Sequence, residues 1–557
     1  MERNTEEVKL FFEDLKRYEK ILSGSFKEGF SKDFMDDPAF IELEEMEDNL
    51  AVKILEFNDG YEEAELAVII DKLGLNLEDP SFEEGFKEAR TSWKDYLHLQ
   101  QTNITYLFQP DNLSELVSNI EYCYQKNIFV KPYGARHSSS DVAKPIENSA
   151  ALTLEKLKLY DTLDQRKLTS SLGEKLVQFE AGYSVKQVND ILHSMGYALP
   201  NMGSYDKQSL IGAICTGTHG SNREVGPMAN IVKAIDLLMY EDGILKNVRV
   251  QPTSCGLPDH SELIEVRAND NLFYNLVLSM GSIGVIYNVV IAVEEKFMLK
   301  ETRKVTSWSE VKSDFNDLLN GEFVDLIINP NRRKKKNFVM LTKRTRTNDS
   351  NIIPKPQFTD LKRKWQKFAA KHTRISNALF TLALRRRVKR NNPSVDHSFN
   401  IFLLGGGKFQ ATSIEIAIPV EKAVEAIDSI LILAKLEEKK GNVHTAPIGV
   451  RFVSSSLHKL SFAYGKRVCT IEIPLLKWQK DSNRILKMYY DLLINNFDGK
   501  PHWGQLNWGK YGEYSLAYGD NFTNWVNLFK SLNVPNIFSN SFTERITDND
   551  EDLLSSG

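Results

Sequence analysis

The sequence is poor in cysteine and has no long apolar run. Its four cysteines, Cys123, Cys215, Cys255 and Cys469, lie far apart and form no C-x-x-C pair. This spacing indicates neither a zinc site nor a disulfide framework and favours buried free thiols in a reducing compartment. A membrane-spanning helix would need about 18 consecutive apolar residues, and the first residues, MERNTEEVKLFFEDLK, lack the apolar core of a signal peptide. We therefore expect a cytoplasmic protein without a bound metal.

The sequence also lacks a strong charge and the common phosphate-binding motifs. A formal net charge of −5 gives no support for a nucleic-acid partner. Neither a G-x-x-x-x-G-K-[ST] loop nor a G-x-G-x-x-G turn between a strand and a helix occurs. What remains is an ordinary globular composition, 42% hydrophobic and 26% charged, whose length suggests about two to four domains.

The chain divides into three regions that differ in composition and in the pattern of apolar residues. Residues 1–100 are acidic, and their first apolar residues recur at helical spacing, which predicts a helical extension. Residues 101–297 alternate strand-like and helix-like runs, among them ITYLFQP followed by DNLSELVSNIEYCYQKN with a predicted Asp or Asn cap. Residues 298–545 become strand-rich, as in SIEIAIP and VCTIEIPLL. This order predicts an α+β fold with two folded domains behind a helical extension.

A basic segment, residues 361–390, interrupts the last region. It is rich in Lys and Arg and contains neither Asp nor Glu. Its apolar residues are predicted to form one face of a helix: Trp365, Phe368, Ile375, Leu379 and Leu382. Such a helix either packs on its own domain or on the acidic N-terminal region, or it makes a peripheral contact with anionic lipid.

Four stretches rich in glycine or polar residues remain unexplained by these elements. The first is YGARHSSSDVA, residues 133–143, which is either an exposed turn or a loop that wraps an anion. The second, LPNMGSYDKQSLIGAICTGTHGSN, allows backbone N–H groups to approach a ligand closely. The third and fourth are SMGSIGVIYNVVI and KPHWGQLNW.

Taken together and in this order, with APIGVRFV and LSFAYGKR, these stretches resemble the vanillyl-alcohol oxidase superfamily of flavoproteins, and within it the aldonolactone and alditol oxidase branch. The resemblance covers roughly residues 105–510. It implies a PCMH-type FAD-binding domain of two α/β subdomains, followed by a substrate (cap) domain with a large antiparallel sheet. It also implies FAD as the cofactor and oxidation of a CH–OH group.

By the same resemblance, His137 is bonded covalently to the 8α carbon of the flavin. The FAD-binding residues that it implies are Pro132, Tyr133, Gly134, Ala135, Arg136, His137, Ser138, Gly203, Ser204, Ser209, Gly212, Thr216, Gly217, Thr218, His219 and Ile286. For His219 a backbone hydrogen bond is an equally simple role. In the family, the residue before the FAD-facing serine flanks the path of O₂ to the flavin. Gly203 has this position before Ser204, so the resemblance favours O₂ as the acceptor, unless the glycine serves only the backbone turn.

The substrate side departs from the family pattern. Arg451 is present, but Gly449 stands where the family has Glu, Glu472 and Pro474 replace His and Thr, and Gln505 replaces Lys in the H-W-G-K motif. We predict site roles for Arg451, Glu472, His502 and Gln505, with Glu472 supplying the missing carboxylate from a neighbouring strand. The alternatives are an ion pair of Arg451 with Glu472 or Glu415, and a packed corner of the cap domain for His502.

The resulting hypothesis is an FAD-linked oxidase of a sugar lactone, similar to D-arabinono-1,4-lactone oxidase, that makes hydrogen peroxide from O₂. Because polar groups that would hold a polyol are changed, the first alternative is a flavin oxidase of a sterol or lipid-linked alcohol at a membrane surface. The second alternative is a non-catalytic scaffold on a flavoprotein fold.

Overall fold

The computed structural model describes residues 2–28, 38–60, 92–162, 173–255, 257, 264–356, 362–404, 409–534 and 536–548. Three β-sheets organise the described part of the chain. All four cysteines are buried and free. Within these ranges, no helix combines the length and the apolar character that crossing a bilayer requires.

Two sheets build the first domain. The four-stranded sheet has the spatial order Ser92–Lys94, Gln101–Phe108, Ser149–Thr153, Val130–Tyr133. The second sheet has the order Glu265–Ala268, Ile244–Gln251, Val232–Glu241, Val285–Glu295, Lys175–Glu180, Tyr160–Thr162, with Tyr197–Ala198 paired to the end of Val285–Glu295. Helices Leu113–Gln125, Val185–Ser194, Leu210–Cys215 and Asp270–Leu276 belong to this domain.

Local sequence signals account for these helices. Asn112 caps the helix Leu113–Gln125 by accepting a hydrogen bond from the Glu115 amide, and Leu116, Ile120 and Cys123 form its buried stripe. Ser184 and Gln187 form a capping box at the start of Val185–Ser194. The predicted α/β alternation of this domain is therefore confirmed.

The third sheet is antiparallel throughout and forms the second domain. Its eight strands follow the order Ser394–His397, Met298–Ser307, Phe338–Thr347, Phe323–Ile328, Ile448–Val453, Val468–Leu476, Ala411–Pro419, Lys500–Pro501. Side chains alternate between its faces. Leu326, Val450 and Ile471 face a core shared with helices Ala423–Lys439 and Ser482–Phe497; the intervening residues face the other way. The large antiparallel sheet predicted from residue 298 onward is confirmed.

Sheet pairing and core packing differ from two of the predicted domain limits, those at residues 100 and 545. Strand Ser92–Lys94 pairs with Gln101–Phe108 and therefore belongs to the first domain, not to the extension. The predicted cap domain does not continue to residue 545. The last helices, Tyr511–Tyr518, Asp520–Leu532 and Ser541–Thr547, return to the core of the first domain. The Val130 amide donates to the Ile537 carbonyl at 2.7 Å, so the chain end closes onto the first sheet.

The basic segment folds as two helices, Arg363–Lys371 and Thr373–Lys389, which pack on the N-terminal helices Glu2–Glu28 and Pro38–Gly60. The Trp365 ring meets Phe11 edge to face at 5.9 Å between centroids. Packing against the N-terminal region is thus the alternative that the structure supports, because the apolar face proposed for lipid is buried there. Contact with a membrane stays a prediction.

The remaining short elements connect the sheets. Helices Trp308–Ser313, Phe315–Leu318 and Ser398–Phe402 lie in the second domain, and 3₁₀ turns occur at Asp141–Ala143, Met228–Ile231 and Val420–Lys422.

Candidate active site

A cavity of about 750 Å³ lies between the glycine-rich loops of the first domain and the open face of the third sheet. It collects predicted residues from six separate segments of the chain. The predicted residues that line it are Pro132, Tyr133, Gly134, Ala135, Arg136, His137, Ser138, Gly203, Ser204, Ser209, Gly212, Thr216, Thr218, His219, Ile286, Arg451, Glu472, His502 and Gln505. Gly217 is the exception among the predicted residues, since an added Cβ there would meet the Phe462 ring and not the cavity.

The loop after strand Val130–Tyr133 presents free amides to this cavity. Arg136 adopts a left-handed conformation, with φ of 57°. The N–H groups of residues 135–138 donate to no acceptor in the described part of the chain. Consecutive amides around a left-handed residue form a concave anion-binding nest. This donor set fits the pyrophosphate of FAD.

Glycine is required where this loop meets the next one. A Cβ on Gly134 would lie 1.9 Å from Ser209 Oγ, and a Cβ on Gly212 would lie 2.5 Å from the same atom. The two loops therefore pack without space for larger residues. Close backbone approach of this kind leaves the room that a bulky dinucleotide needs.

His137 stands between two tyrosine rings. Its ring centroid lies 4.8 Å from that of Tyr96 and 4.3 Å from that of Tyr205. Burial lowers the pKa of His137 to about 4, so the imidazole is neutral at physiological pH. A neutral ring nitrogen is the form that can attack an electrophilic carbon. Both tyrosines were missed by the sequence analysis.

Packing also explains why glycine occurs at position 203, besides the predicted path of O₂. A Cβ at this position would come within 2.9 Å of Thr218 Cγ2 and 3.7 Å of the His219 carbonyl oxygen. The close contact with Thr218 supports the structural alternative for this glycine. It leaves the O₂ path a prediction.

The open face of the third sheet supplies the charged side of the cavity. Strand pairing sets Arg451 opposite Asp325, and Glu472 opposite both Gly449 and Glu415. Because cross-strand partners share a face, all five residues lie on the side that lines the cavity. Because side chains alternate along each strand, these residues from four strands form one charged surface.

Arg451 is the centre of this surface. One guanidinium nitrogen, Nη1, lies 3.4 Å from Glu472 Oε2 and 3.5 Å from Glu415 Oε1, and Nη2 donates to Ser204 Oγ at 3.1 Å. Burial lowers the pKa of Arg451, but the two carboxylates outweigh it and raise that pKa above its usual value. Arg451 therefore connects the third sheet with the loop predicted to hold FAD.

Glu472 fills the space that the glycine leaves. A Cβ on Gly449 would lie 3.5 Å from Glu472 Oε2 and 3.7 Å from Glu472 Cβ. The carboxylate thus stands above position 449, where the family carries its own Glu. Burial, together with the nearby Glu415, raises the pKa of Glu472, although Arg451 opposes the rise.

Glu415 is enclosed, in contrast to Glu472. The Glu415 side chain is 6% exposed and that of Glu472 is 27% exposed. His219 Nε2 lies 3.1 Å from Glu415 Oε1, while His219 Nδ1 lies 3.0 Å from the Gly220 carbonyl, so the backbone role expected of this histidine is present. Burial raises the pKa of Glu415, but His219 and Arg451 outweigh it and hold that pKa well below the usual value.

His502 completes a group of three potential metal ligands with His219 and Glu415, whose ligand atoms lie within 4.8 Å of one another. Each of them has an internal role. His502 Nδ1 accepts from the Gly504 amide at 3.0 Å, and burial lowers the pKa of His502 to about 4 despite the nearby Glu415. The expected absence of a metal stays a prediction.

The segment PHWGQ joins the two sides of the cavity. The Ser139 amide donates to the Gly504 carbonyl at 2.7 Å, and Ser140 Oγ donates to the Trp503 carbonyl at 2.6 Å. Gln505 Oε1 accepts from Ser413 Oγ at 2.7 Å. Gln505 is therefore held by strand Ala411–Pro419 of the third sheet. The alternative of a packed corner fits Trp503, which is fully buried.

Comparison with known proteins gives the family. The family profile described as "FAD binding domain" matches residues 104–249, and the profile "D-arabinono-1,4-lactone oxidase" matches residues 289–546. The first profile thus contains the nest and both glycine loops, and the second contains the charged sheet face. FAD is accordingly the cofactor of this chain.

Two relatives and one solved structure illustrate the similarity. D-arabinono-1,4-lactone oxidase from Candida glabrata is 23% identical over 43% of this chain, and the chain spans 42% of that relative's length. L-gulonolactone oxidase from Scyliorhinus torazame is 24% identical over 79% of this chain and 94% of its own length. A solvent-stable cholesterol oxidase superposes with a TM-score of 0.67 at 13% identity, over 82% of this chain and 97% of that one, and it shares the fold.

The profiles, the relatives and the three-sheet architecture agree with the loops and the sheet face that build the cavity. The chain thus combines an FAD binding domain with a region that matches D-arabinono-1,4-lactone oxidase, as expected for the aldonolactone oxidase branch of the PCMH-type flavoproteins.

Proposed function

We propose that this protein is an FAD-dependent oxidoreductase that oxidises a CH–OH group of an aldonolactone or a related hydroxylated compound. The observation that carries the proposal is the Arg451 contact with Ser204, which brings the charged sheet face to the FAD loop. FAD bound in the cavity supplies the acceptor for the hydride. The residues of the chain have to hold the alcohol and take up its hydroxyl proton.

Arg451 and Glu472 suit these two tasks. An arginine with two carboxylate neighbours stabilises negative charge that develops on the substrate oxygen. Glu472 is the carboxylate that remains reachable from the cavity, and its raised pKa brings it closer to the working pH of a general base. Glu415 is too enclosed and too strongly stabilised as an anion to serve. We assign Glu472 as the proton acceptor and Arg451 as the group that holds the oxygen.

Anaerobic reduction of the bound flavin tests this assignment. Adding D-arabinono-1,4-lactone or L-gulono-1,4-lactone should bleach the flavin absorbance of the wild-type protein. Arg451→Ala should slow bleaching by about 10²–10³-fold, the usual effect of losing one oxyanion-stabilising donor. Arg346→Ala removes an arginine from the same sheet outside the cavity, where Arg346 pairs with Glu294, and should leave the rate unchanged. Equal loss in both variants would contradict a site role for Arg451.

We further propose that His137 carries the flavin covalently. The neutral imidazole between Tyr96 and Tyr205, beside the amide nest, supports this proposal. Acid-precipitated and washed wild-type protein should retain flavin absorbance, and His137→Ala should lose it to the supernatant. His193→Ala, on a helix of the same domain, is the matched control. Flavin in both supernatants would leave FAD as the cofactor and remove the covalent bond.

Molecular oxygen is proposed as the acceptor that reoxidises the flavin, on the basis of Gly203. Gly203→Ala should slow reoxidation by O₂ while leaving anaerobic reduction intact. Because the new Cβ would press on Thr218, the double variant Gly203→Ala/Thr218→Ser relieves that contact. If the double variant regains O₂ reactivity, the effect of Gly203→Ala came from packing and not from a blocked path.

A further inference from the structure

The cavity has a second end, formed by the helix Thr373–Lys389 of the basic segment. Leu379, Phe380 and Ala383 provide apolar lining there, and three arginines follow them along the chain. Arg386, Arg387 and Arg390 all line the same cavity as Arg451 and His137. We call these three residues the arginine end. None of the predicted site residues lies in this segment.

Two of these arginines lie near each other at the end of the helix. Arg386 belongs to the last turn, and Arg390 directly follows the last helical residue, so the two are about one turn apart and both line the cavity. Arg386 is half-buried, and Arg390 is exposed. In the part of the chain that the structure describes, no carboxylate lies within 4.0 Å of either guanidinium group.

The acidic residues that line the sheet side of the cavity are already engaged. Asp325 pairs with the buried Arg344, while Glu415 and Glu472 share Arg451. Arg344 also contacts the buried Glu301 at 2.8 Å. The positive charge of Arg386 and Arg390 is therefore not neutralised by these three carboxylates. Burial lowers the pKa of Arg387 to about 10; Glu301 opposes this change, and Arg303 and Arg344 reinforce it. Arg387 is therefore still charged at physiological pH.

The arginine end adjoins the reacting centre. Arg387 Nη1 donates to the Leu404 carbonyl at 2.9 Å, and the Leu404 amide donates to the Ser204 carbonyl at 3.1 Å. Ser204 in turn accepts from Arg451 through its hydroxyl. A single residue, Leu404, thus separates Arg387 from the serine that touches Arg451. Both groups line the same cavity.

We propose that the arginine end binds an anionic group of the substrate, a phosphate ester or a carboxylate, while Arg451 and Glu472 act on its CH–OH group. Guanidinium groups present paired donors that match the oxygens of both anions. A neutral lactone offers no partner for this charge. The preferred substrate is therefore a negatively charged hydroxylated compound, with neutral lactones oxidised more slowly, and this inference rests on the proposed function of the same cavity.

The first test measures anion binding without turnover. Inorganic phosphate is titrated calorimetrically into the FAD-loaded protein, in which the amide nest is filled by the cofactor. Arg386→Ala should weaken phosphate binding by about tenfold or more, as expected when one charge-assisted contact is lost. Lys389→Ala removes an equal charge from an exposed position of the same helix and should leave the affinity unchanged. Equal affinities of the wild type and Arg386→Ala overturn the proposal.

A second variant protects the test against misfolding. Arg390→Ala changes an exposed residue beyond the last helical residue and should also weaken phosphate binding, with an unchanged melting temperature. Arg386→Lys keeps the charge but loses the planar fork, and it should recover part of the affinity. A variant that loses affinity only together with its melting temperature counts against a direct contact.

The second test compares substrates. Anaerobic flavin reduction is measured with a neutral lactone, the corresponding aldonate and a phosphorylated polyol. Faster reduction by either charged compound, lost in Arg386→Ala, supports the proposal and tells phosphate from carboxylate. Faster reduction by the neutral lactone, unaffected by Arg386→Ala, overturns the proposal and leaves the proposed function in place. Phosphate binding that depends on Arg386, without reduction by any compound, supports the anion site and contradicts the proposed function.

Discussion

Two buried ionic clusters of this molecule use the same residue types differently. In the N-terminal cluster, Glu47 lies between Arg333 and Arg374, at 2.6 Å from Arg374 Nε, and Tyr18 donates to it at 3.1 Å. In the cavity cluster, Arg451 lies between Glu415 and Glu472 at 3.4–3.5 Å. The first is centred on a carboxylate between two cations, one of which also pairs with Asp48. The second is centred on one cation between two carboxylates.

The two clusters differ in the number of cations around each carboxylate and in how far they are closed to the cavity. This difference suits the first to a structural role and the second to a chemical one. Burial raises the pKa of Glu47, but two arginines outweigh it and the pKa falls below its usual value. In the cavity cluster burial raises the pKa of Glu472, and the single arginine that it shares with Glu415 does not outweigh this effect. A sealed and fully compensated carboxylate holds helices together, whereas an undercompensated one beside a cavity is ready to take a proton.

The largest effect should come from Glu472→Gln. If Glu472 accepts the proton, flavin reduction at neutral pH should fall by about 10²–10⁴-fold. Because the pKa of Glu472 is raised, wild-type activity should increase with pH through a value above that of an ordinary carboxyl group. This acidic limb should be absent in the variant, whereas Glu421→Gln, an exposed control, should keep it. A limb near pH 4 in both proteins would point to His502 instead.

Glu47→Ala tests the structural role of the N-terminal cluster. Removing the carboxylate takes away the partner that the buried Arg333 and Arg374 share, while Arg333 keeps its pair with Asp48. The loss should lower the free energy of unfolding by about 3–5 kcal/mol. Since the pKa of Glu47 is lowered in the folded state, its stabilising contribution should be lost as pH falls through that pKa. Denaturant unfolding measures both. The exposed pair Arg17–Glu42 is the control, and Glu42→Ala should cost no more than about 1 kcal/mol.

Trp365→Ala tests the apolar part of the same interface. Its ring is 2% exposed and contacts Phe11 and Phe57. The resulting cavity should lower the free energy of unfolding by about 3–5 kcal/mol. The loss should be near the lower value if the N-terminal helices move into the space. A protein that instead bound anionic vesicles through this face would need Trp365 exposed. An unchanged free energy of unfolding in Trp365→Ala would contradict this packing and favour the predicted contact of the basic segment with a membrane.

The smallest effect should come from Gly449→Ala. The new Cβ would make an ordinary contact with Glu472, at 3.5 Å from Oε2. Stability should stay the same or increase by up to about 1 kcal/mol, because alanine restricts the unfolded chain. The pH profile of flavin reduction should keep the position set by Glu472. A large loss of activity would show that the free space above Gly449, and not the carboxylate, is what the substrate needs.

Much of the first domain could be predicted because its determinants are local. The residues of the amide nest are consecutive, and the Asn112 and Ser184 caps are read from neighbours in the chain. The boundaries could not be predicted, since strand Ser92–Lys94 and the helices after residue 510 join this domain only through partners far away in the sequence.

The sequence by itself determined the cofactor loops, the alternation of the sheet strands and the presence of Arg451. Only the tertiary structure decided which side chains meet them. Strand pairing placed Glu472 over Gly449 and enclosed Glu415, and the packing of the basic segment brought Arg386 to the cavity of His137. The physical reason is range: backbone conformation follows from adjacent residues, whereas burial and the balance of charges depend on segments that only folding brings together.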